Sequence, residues 1–273
     1  MKKYFELTFS NIKPADAEIL IAYLDDFGFY GYETGDDFLK AYSEKQIDQE
    51  IIRHFLPDHC QISVQFIEDK DWNRLWEENM KPVLVDDFVY VRAHFHPGID
   101  SVKYDIVITP KMSFGTGHHA TTRLMIQQMR DIDLNDRTVI DFGTGTAILS
   151  ILAEKMGAKK VYAIDNDPWC ISNANDNIVN NKCRLISVFL SDNLYDFSKA
   201  DLILANINLN TLKSHSSEIV SYLSDNGILI LSGILEKDKD ILSEVFVKKG
   251  MAVDSEKALD HWVSIRFKKS PRV

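Results

Sequence analysis

Two acidic residues and two glycines fall at the ends of neighbouring predicted strands near the middle of the chain. Asp141 precedes a turn that contains Gly143 and Gly145, and Asp165 ends the next apolar strand. Glycines at a strand-to-helix turn permit positive φ and close approach of a ligand, and the new helix offers unpaired N–H groups. An acid at the second strand end is placed to bind ribose hydroxyls. The spacing predicts a nucleoside-containing ligand, and the alternative is a tight turn that binds nothing.

Two common phosphate-binding loops do not match this turn. Ile148 stands where the third glycine of the dinucleotide fingerprint Gly-x-Gly-x-x-Gly is required. No lysine follows the glycines, as a P-loop would need. These mismatches argue against an NAD-linked oxidoreductase and against a P-loop nucleotidase.

Two further groups of polar residues are predicted at element ends. The turn Phe114–Gly117 leads to His119 and Thr122 at the start of a helix, where hydroxyls and N–H groups point out of the fold. Simple N-capping is the alternative for the threonine. Asn206 ends the apolar strand that begins near Ala200, on the same sheet edge as the glycine turn. Its alternative is a loop residue that caps the next helix.

The elements around these residues predict two domains. Residues 86–273 alternate short apolar strands with amphipathic helices, which predicts an α/β, doubly wound, Rossmann-like domain whose sheet ends in a meander. Residues 1–68 follow the order β-α-β-β-α-β of a small α+β, ferredoxin-like unit, which we interpret as a recognition module. Residues 69–85 are predicted to be a linker helix, with Trp72 and Trp76 on one face.

Composition limits the classes of function. The net charge of −10 argues against generic nucleic-acid binding, which needs surplus Lys and Arg. No apolar run is long enough to span a membrane, and the N-terminus is not a signal-peptide core. The three cysteines lack metal-type spacing, so we expect reduced thiols in a cytoplasmic protein without a metal site. Residues 1–68 hold six basic and thirteen acidic residues, which suits either a basic protein partner or solubility.

Taken in order, these motifs resemble the ribosomal protein L11 methyltransferases (PrmA type), a family of class I S-adenosylmethionine-dependent enzymes. The resemblance runs from about Glu68 to the C-terminus and is carried by Glu68–Trp72, Phe114–Gly117 with His119 and Thr121–Thr122, Val139–Gly143, Ile164–Asp165, Ala205–Ile207 and Leu231–Ile234. The glycine motif alone is shared by a whole superfamily, whereas its combination with the helix start and Asn-Ile is more specific.

The resemblance implies a seven-stranded methyltransferase domain and methylation of lysine side chains and the α-amine of a ribosomal large-subunit protein. It implies that the cofactor is bound by Thr122, Gly143, Asp165 and Asn206, with His119 and Phe114 nearby at the reacting groups. Four positions depart from the family pattern: His118, Ala120, Thr144 and Ala147. The first two lie where they can alter the loop over the substrate.

The chemistry that these residues must perform is an in-line displacement at a methyl group. It needs two centres held in position and a neutral amine, and neither a metal nor a covalent nucleophile. We expect the amide oxygen of Asn206 to orient the amine and apolar walls such as Phe114 to favour its neutral form. Alternatives are a methyltransferase for another protein amine or amide, and a non-catalytic protein with the same fold. No long exposed apolar stretch is evident, which favours a monomer.

Overall fold

A mostly parallel sheet with helices between its strands is the largest element of the computed structural model. The structure describes residues 4–269 except 14–15, 18–19, 22, 25–26, 30, 45–51, 54–55, 57–58, 68–80 and 110–114. The chain divides into two compact units, Met1–Leu75 and Trp76–Val273. The predicted linker helix with its two tryptophans, and Phe114, lie outside the described residues.

The first unit contains a four-stranded antiparallel sheet. Its strands are β1 (Tyr4–Ser10), β2 (Gly31–Thr34), β3 (Phe38–Ser43) and β4 (Gln61–Ile67), in the order β2-β3-β1-β4. This order is that of a ferredoxin-like sheet, as predicted. The alternating side chains of β1 explain why one face is covered: Leu7 and Phe9 are fully buried in the core, whereas Thr8 lies on the other face.

A small three-stranded sheet opens the second unit. It consists of β5 (Val83–Val85), β6 (Val89–Arg92) and β7 (Tyr104–Val107), with β5 antiparallel and β7 parallel to β6. The prediction of a linker helix as far as residue 85 was therefore wrong at its end. The β-branched Val83 and Val85 pair with Val91 and Val89 instead of continuing a helix.

The large sheet has seven strands in the order β10-β9-β8-β11-β12-β14-β13. The strands are β8 (Thr138–Phe142), β9 (Lys160–Asp165), β10 (Ile186–Leu190), β11 (Ala200–Asn206), β12 (Leu223–Leu235), β13 (Met251–Leu259) and β14 (Trp262–Lys269). β14 is antiparallel to both of its neighbours, and the strands from β10 to β12 are parallel. This arrangement confirms the predicted doubly wound methyltransferase fold with its antiparallel seventh strand.

Six helices accompany this sheet within the described part of the second unit. They are α1 (Ala120–Met129), α2 (Ile148–Lys155), α3 (Pro168–Asn180), α4 (Leu209–Ser214), α5 (Ser216–Tyr222) and α6 (Lys239–Val247). α4 and α5 are two separate helices, because the chain leaves helical geometry at His215. None of the described helices is both long and apolar enough to cross a membrane.

The sheet core explains the stability of this scaffold. The central strands β8 and β11 are buried almost throughout, as expected for parallel strands covered by helices on both faces. Two apolar clusters lie on the two faces, one containing Ile151 and Leu152 of α2 and the other containing Leu242 and Phe246 of α6. Burying each such side chain contributes roughly 1.5–3 kcal/mol. The strand ends are thereby fixed relative to one another.

Candidate active site

The predicted site residues meet at the carboxyl edge of the large sheet. β8 lies between β9 and β11, with Phe142 paired to Ile164 on one side and to Ala205 on the other. Gly143, Asp165 and Asn206 each follow one of these three residues. The register therefore places all three side by side, at the edge where open α/β sheets bind ligands.

The glycine turn is held by hydrogen bonds within the protein. Gly143 and Gly145 have positive φ angles of 81° and 55°, and Ala147 adopts the left-handed region before α2. The N–H groups of Gly143 and Thr144 both donate to Ile164 O, at 2.8 and 2.9 Å. These two N–H groups are therefore occupied by β9, so the turn supplies its shape to a ligand rather than a row of free donors.

Asp165 connects the second strand to the same turn. Its Oδ2 accepts from the N–H of Gly145 at 2.9 Å, and its Oδ1 accepts from the N–H of Asp167 at 3.1 Å. Each carboxylate oxygen retains a further acceptor site, since an ionised carboxylate offers about four. The side chain is only partly buried. Asp165 is therefore oriented by the backbone and still able to accept from ligand hydroxyls.

Asp141 is a buried acid with one unpaired oxygen. Its Oδ2 accepts from the hydroxyls of Thr144 and Ser150, both at 2.7 Å. Its Oδ1 is buried without a hydrogen-bond partner among the described residues. Burial raises the pKa of Asp141 to about 6, and the two hydroxyls oppose this rise. An unpaired buried carboxylate oxygen is costly, and a donor or cation beside it would remove that cost.

Ile207 fills the space that two glycines leave open. A Cβ on Gly143 would lie 2.3 Å from Ile207 Cγ2, and a Cβ on Gly233 would lie 2.4 Å from Ile207 O. Gly233 also has a φ of 86°. The two glycines thus allow the backbone after Asn206 to run between the glycine turn and β12. Asn206 itself is half-buried, and its Oδ1 has no partner in the described structure.

The start of α1 rules out the alternative that a threonine is its N-cap. The N-cap is His119, whose Nδ1 accepts from the N–H of Thr121 at 3.3 Å and lies 2.7 Å from its hydroxyl. Because Nδ1 is an acceptor, the imidazole is neutral, and burial lowers the pKa of His119. Its ring packs edge-on against Trp262, with centroids 4.8 Å apart. Thr122 is left with a buried hydroxyl that has no partner among the described residues.

Unpaired buried polar atoms single out this edge. Within the described structure six side-chain atoms are of this kind, and three belong to predicted site residues: Thr122 Oγ1, Asp141 Oδ1 and Asn206 Oδ1. Buried polar groups in folded proteins almost always have partners, so unpaired ones need an explanation. A polar ligand at this edge would provide one. No cluster of three or more metal-ligating side chains occurs in the part of the chain that the structure describes.

Sequence reasoning missed three residues near the site. Asn177 and Thr146 are fully buried and hydrogen-bonded to each other, and Trp262 contacts the ring of His119. Asparagines at 173 and 177 of α3 and at its C-cap, Asn181, recur every four residues, so they form a polar stripe on one helix face. That stripe was a usable signal, because asparagine is a poor helix former without a specific partner. Nothing in the local sequence indicated Trp262.

Comparisons with family models and with curated proteins identify the same family. The model of the family "Ribosomal protein L11 methyltransferase (PrmA)" matches residues 12–270. A ribosomal protein L11 methyltransferase of Porphyromonas gingivalis is 38% identical over 260 residues, covering 92% of this chain and 90% of the relative. One from Bacteroides thetaiotaomicron is 35% identical over 278 residues, covering 97% and 99%.

A solved structure shows the same relationship. The crystal structure of a ribosomal protein L11 methylase from Lactobacillus delbrueckii subsp. bulgaricus matches with a TM-score of 0.66 and 25% identity, covering 70% of this chain and all of that one. A tRNA methyltransferase structure from M. jannaschii matches with a TM-score of 0.50 and 17% identity, which indicates a shared fold only.

Proposed function

Because the chain belongs to the ribosomal protein L11 methyltransferase (PrmA) family, we propose that it transfers methyl groups from S-adenosylmethionine to lysine side-chain amines and the α-amine of ribosomal protein L11. The observation that carries the proposal is the set of unpaired polar atoms on Thr122, Asp141 and Asn206, at the edge where the family resemblance places the cofactor. The substrate is taken from the names of the relatives.

The residues at this edge fit S-adenosylmethionine. Asp165 offers acceptor sites to ribose hydroxyls beside the glycine turn. Asp141 offers an unpaired, buried carboxylate oxygen to the ammonium of the amino-acid tail, and Thr122 offers a hydroxyl that can donate or accept. The cofactor supplies an activated methyl group on a sulfonium, which leaves as a neutral thioether. No phosphate has to be bound, which agrees with the absence of a P-loop lysine.

The protein must then hold the acceptor amine in its neutral form, with the proton released to solvent. We assign Asn206 Oδ1 the role of accepting a hydrogen bond from the amine, which points its lone pair away from the amide and towards the methyl group. His119 is held neutral, so its imidazole adds no positive charge at the helix start to oppose the approach of a lysine. Enclosure beside Trp262 favours the neutral amine that attack requires, and we assign Phe114 to the same role from the family resemblance alone.

The first unit is suited to bind a basic protein. On its sheet Lys40 lies 3.6 Å from the buried carboxylate of Glu6 and 4.0 Å from the exposed carboxylate of Glu33. The net charge of −7 over residues 1–68 would steer a cationic ribosomal protein to it. We assign substrate recognition to residues 1–68, a joining role to residues 69–85 and catalysis to residues 86–273. In this proposal the enzyme acts in the cytoplasm as a monomer, on free L11 without nucleic acid.

Intact-mass spectrometry of isolated L11 tests this function. We expect incubation with the enzyme and S-adenosylmethionine to add whole methyl-mass steps to L11, and peptide fragmentation to place them on lysines and the α-amine. The other large-subunit proteins serve as controls in the same reaction. Methylation of a different protein would keep the chemistry and reject the substrate. Cofactor binding without any transfer would leave the fold with a non-catalytic role.

The affinity for S-adenosylmethionine should fall in weak acid because of Asp141. Its pKa of about 6 means that the carboxyl is ionised at pH 7 and mostly protonated at pH 5. A neutral carboxyl does not attract an ammonium, so we expect the dissociation constant to rise roughly tenfold from pH 7 to pH 5. Isothermal titration calorimetry of the wild type and of Asp141→Asn measures this. The variant should bind S-adenosylmethionine weakly, with a dissociation constant that does not change with pH. If its dissociation constant still rises between pH 7 and pH 5, the effect belongs to another group.

A further inference from the structure

Three hydrogen bonds connect the backbone on either side of residues 110–114 to the glycine turn. Asn177 Oδ1 accepts from the N–H of Thr109 at 2.8 Å. Asn177 Nδ2 donates to Thr146 O at 3.0 Å. The hydroxyl of Thr146 donates to Gly115 O at 2.6 Å. One helix residue thus connects two segments that are 68 and 31 positions away from it.

These hydrogen bonds are made where water cannot replace them. The side chains of Asn177 and Thr146 are fully buried. Gly115 is buried as well, and a Cβ added there would lie 2.7 Å from Thr146 Oγ1, so the two segments are in close contact. Removing one partner would leave a buried backbone group unpaired, which is more disruptive than losing a surface hydrogen bond. The connection is therefore stiff.

The connection joins the two halves of the candidate site. Thr146 lies in the glycine turn, directly before Ala147 and α2. Gly115 lies four residues before His119, which caps α1 and leads to Thr122. We propose that Asn177, acting through Thr146, is a positioning residue that sets the start of α1 against the glycine turn during methyl transfer. This inference rests on the proposed function for its catalytic readout.

Asn181 provides a matched control on the same helix face. Its Oδ1 accepts from the N–H of Val107 at 2.9 Å, and its Nδ2 donates to Val107 O at 2.6 Å. It therefore fastens Val107, the last residue of β7, two residues before Thr109. Its Nδ2 also donates to the backbone O of Asn177 at 2.8 Å, and none of its hydrogen bonds among the described residues reaches the glycine turn. Asn177→Ala and Asn181→Ala should each lower the midpoint of thermal unfolding by several degrees. Only Asn177→Ala is expected to loosen the start of α1 against the glycine turn.

The test compares both variants in steady-state methylation of isolated L11. We expect Asn177→Ala to lower kcat by roughly ten- to a hundredfold, because small misplacements of reacting groups have effects of this size. Its dissociation constant for S-adenosylhomocysteine should rise by much less than kcat falls, because the contact from Thr122 is loosened while Asp141, Asp165 and Asn206 are untouched. Asn181→Ala should keep the wild-type kcat at a temperature well below its unfolding midpoint. Equal kcat values in the two variants would overturn the proposal.

A second pair of variants tests the hydroxyl between Thr146 and Gly115. Thr146→Val removes the donor and nearly keeps the shape, whereas Thr146→Ser keeps the donor. We expect the valine variant to lose kcat as Asn177→Ala does and the serine variant to retain the wild-type kcat. If both variants are folded and both lose kcat equally, the loss comes from packing, and the positioning role is contradicted.

Amide hydrogen exchange separates this inference from the proposed function. Asn177→Ala should speed exchange in residues 115–122, and Asn181→Ala should not. If the wild-type enzyme does not methylate L11 but the two variants differ in exchange as expected, the substrate is rejected and the role of Asn177 in holding residues 115–122 is kept. If the wild-type enzyme methylates L11 but the two variants have the same exchange and the same kcat, the function is kept and the role of Asn177 is rejected.

Discussion

Replacing Gly233 by alanine is expected to abolish methyl transfer and to lower the free energy of unfolding by about 3 kcal/mol or more. The added Cβ would lie 2.4 Å from the carbonyl oxygen of Ile207 and 2.9 Å from its N atom, and both belong to the backbone. A residue other than glycine would in addition be strained at a φ of 86°. Relief requires the backbone next to Asn206 to move. Urea unfolding and initial methylation rates measure the two effects.

Gly250→Ala is the matched control for this variant. Gly250 has nearly the same φ, 84°, but a Cβ there meets no atom within 4 Å. Its alanine variant should lose only the cost of the left-handed backbone, about 1 kcal/mol, and keep full activity. The difference between the two variants isolates the collision with Ile207. If Gly233→Ala is no worse than Gly250→Ala, the backbone after Asn206 is not fixed by this contact.

Gly143, in the glycine turn, should differ from Gly233 in its response to a second substitution. At Gly143 the obstacle to a Cβ is the side-chain atom Ile207 Cγ2, at 2.3 Å. Ile207→Ala removes that atom and should recover part of the stability that Gly143→Ala loses. It should not rescue Gly233→Ala, where the obstacle is backbone. These two glycines are therefore required by the packing of the protein, in addition to any contact with the cofactor.

Much of this site could be predicted from the sequence because parallel strands bring their ends to one edge. Asp165 and Asn206 are recognisable as polar residues that end apolar strands, and Gly143 as a turn residue before a helix. The order of strands and helices was sufficient to predict the fold, including the ferredoxin-like sheet of the first unit. In each case the signal is local, and a general rule of sheet topology supplies the rest.

The remaining features depend on contacts between segments that are distant in the sequence. The position of Ile207 between two glycines joins residues 143, 207 and 233, and no local pattern indicates it. Asn177 contacts residues 109 and 146 through its amide, which a helical periodicity alone cannot reveal. His119 caps α1, which the sequence did not indicate, since its imidazole competes successfully with the threonine hydroxyls for the free N–H. Side-chain partners of this kind are decided by tertiary packing.

The second large effect is expected at Asn206, where alanine should lower kcat by roughly a hundredfold. The side-chain oxygen is buried without a partner among the described residues, so an amine placed beside it would pair an acceptor that is otherwise unsatisfied. Alanine removes the acceptor and leaves the strand end intact. Cofactor affinity should change much less, because Asp141 and Asp165 remain. Calorimetry with S-adenosylhomocysteine and steady-state methylation of L11 separate the two effects.

Asn208 gives the control for Asn206, because it lies two residues further along the same loop and has a defined structural role. Its Oδ1 accepts from the N–H of Thr211 at 3.0 Å and caps α4. Asn208→Ala should therefore cost about 1 kcal/mol of stability and leave kcat unchanged. Asn206→Asp keeps an acceptor oxygen and should retain more activity than Asn206→Ala. Equal losses of kcat and cofactor affinity in Asn206→Ala would make Asn206 a cofactor ligand alone, and the orientation of the amine would then have to come from another group.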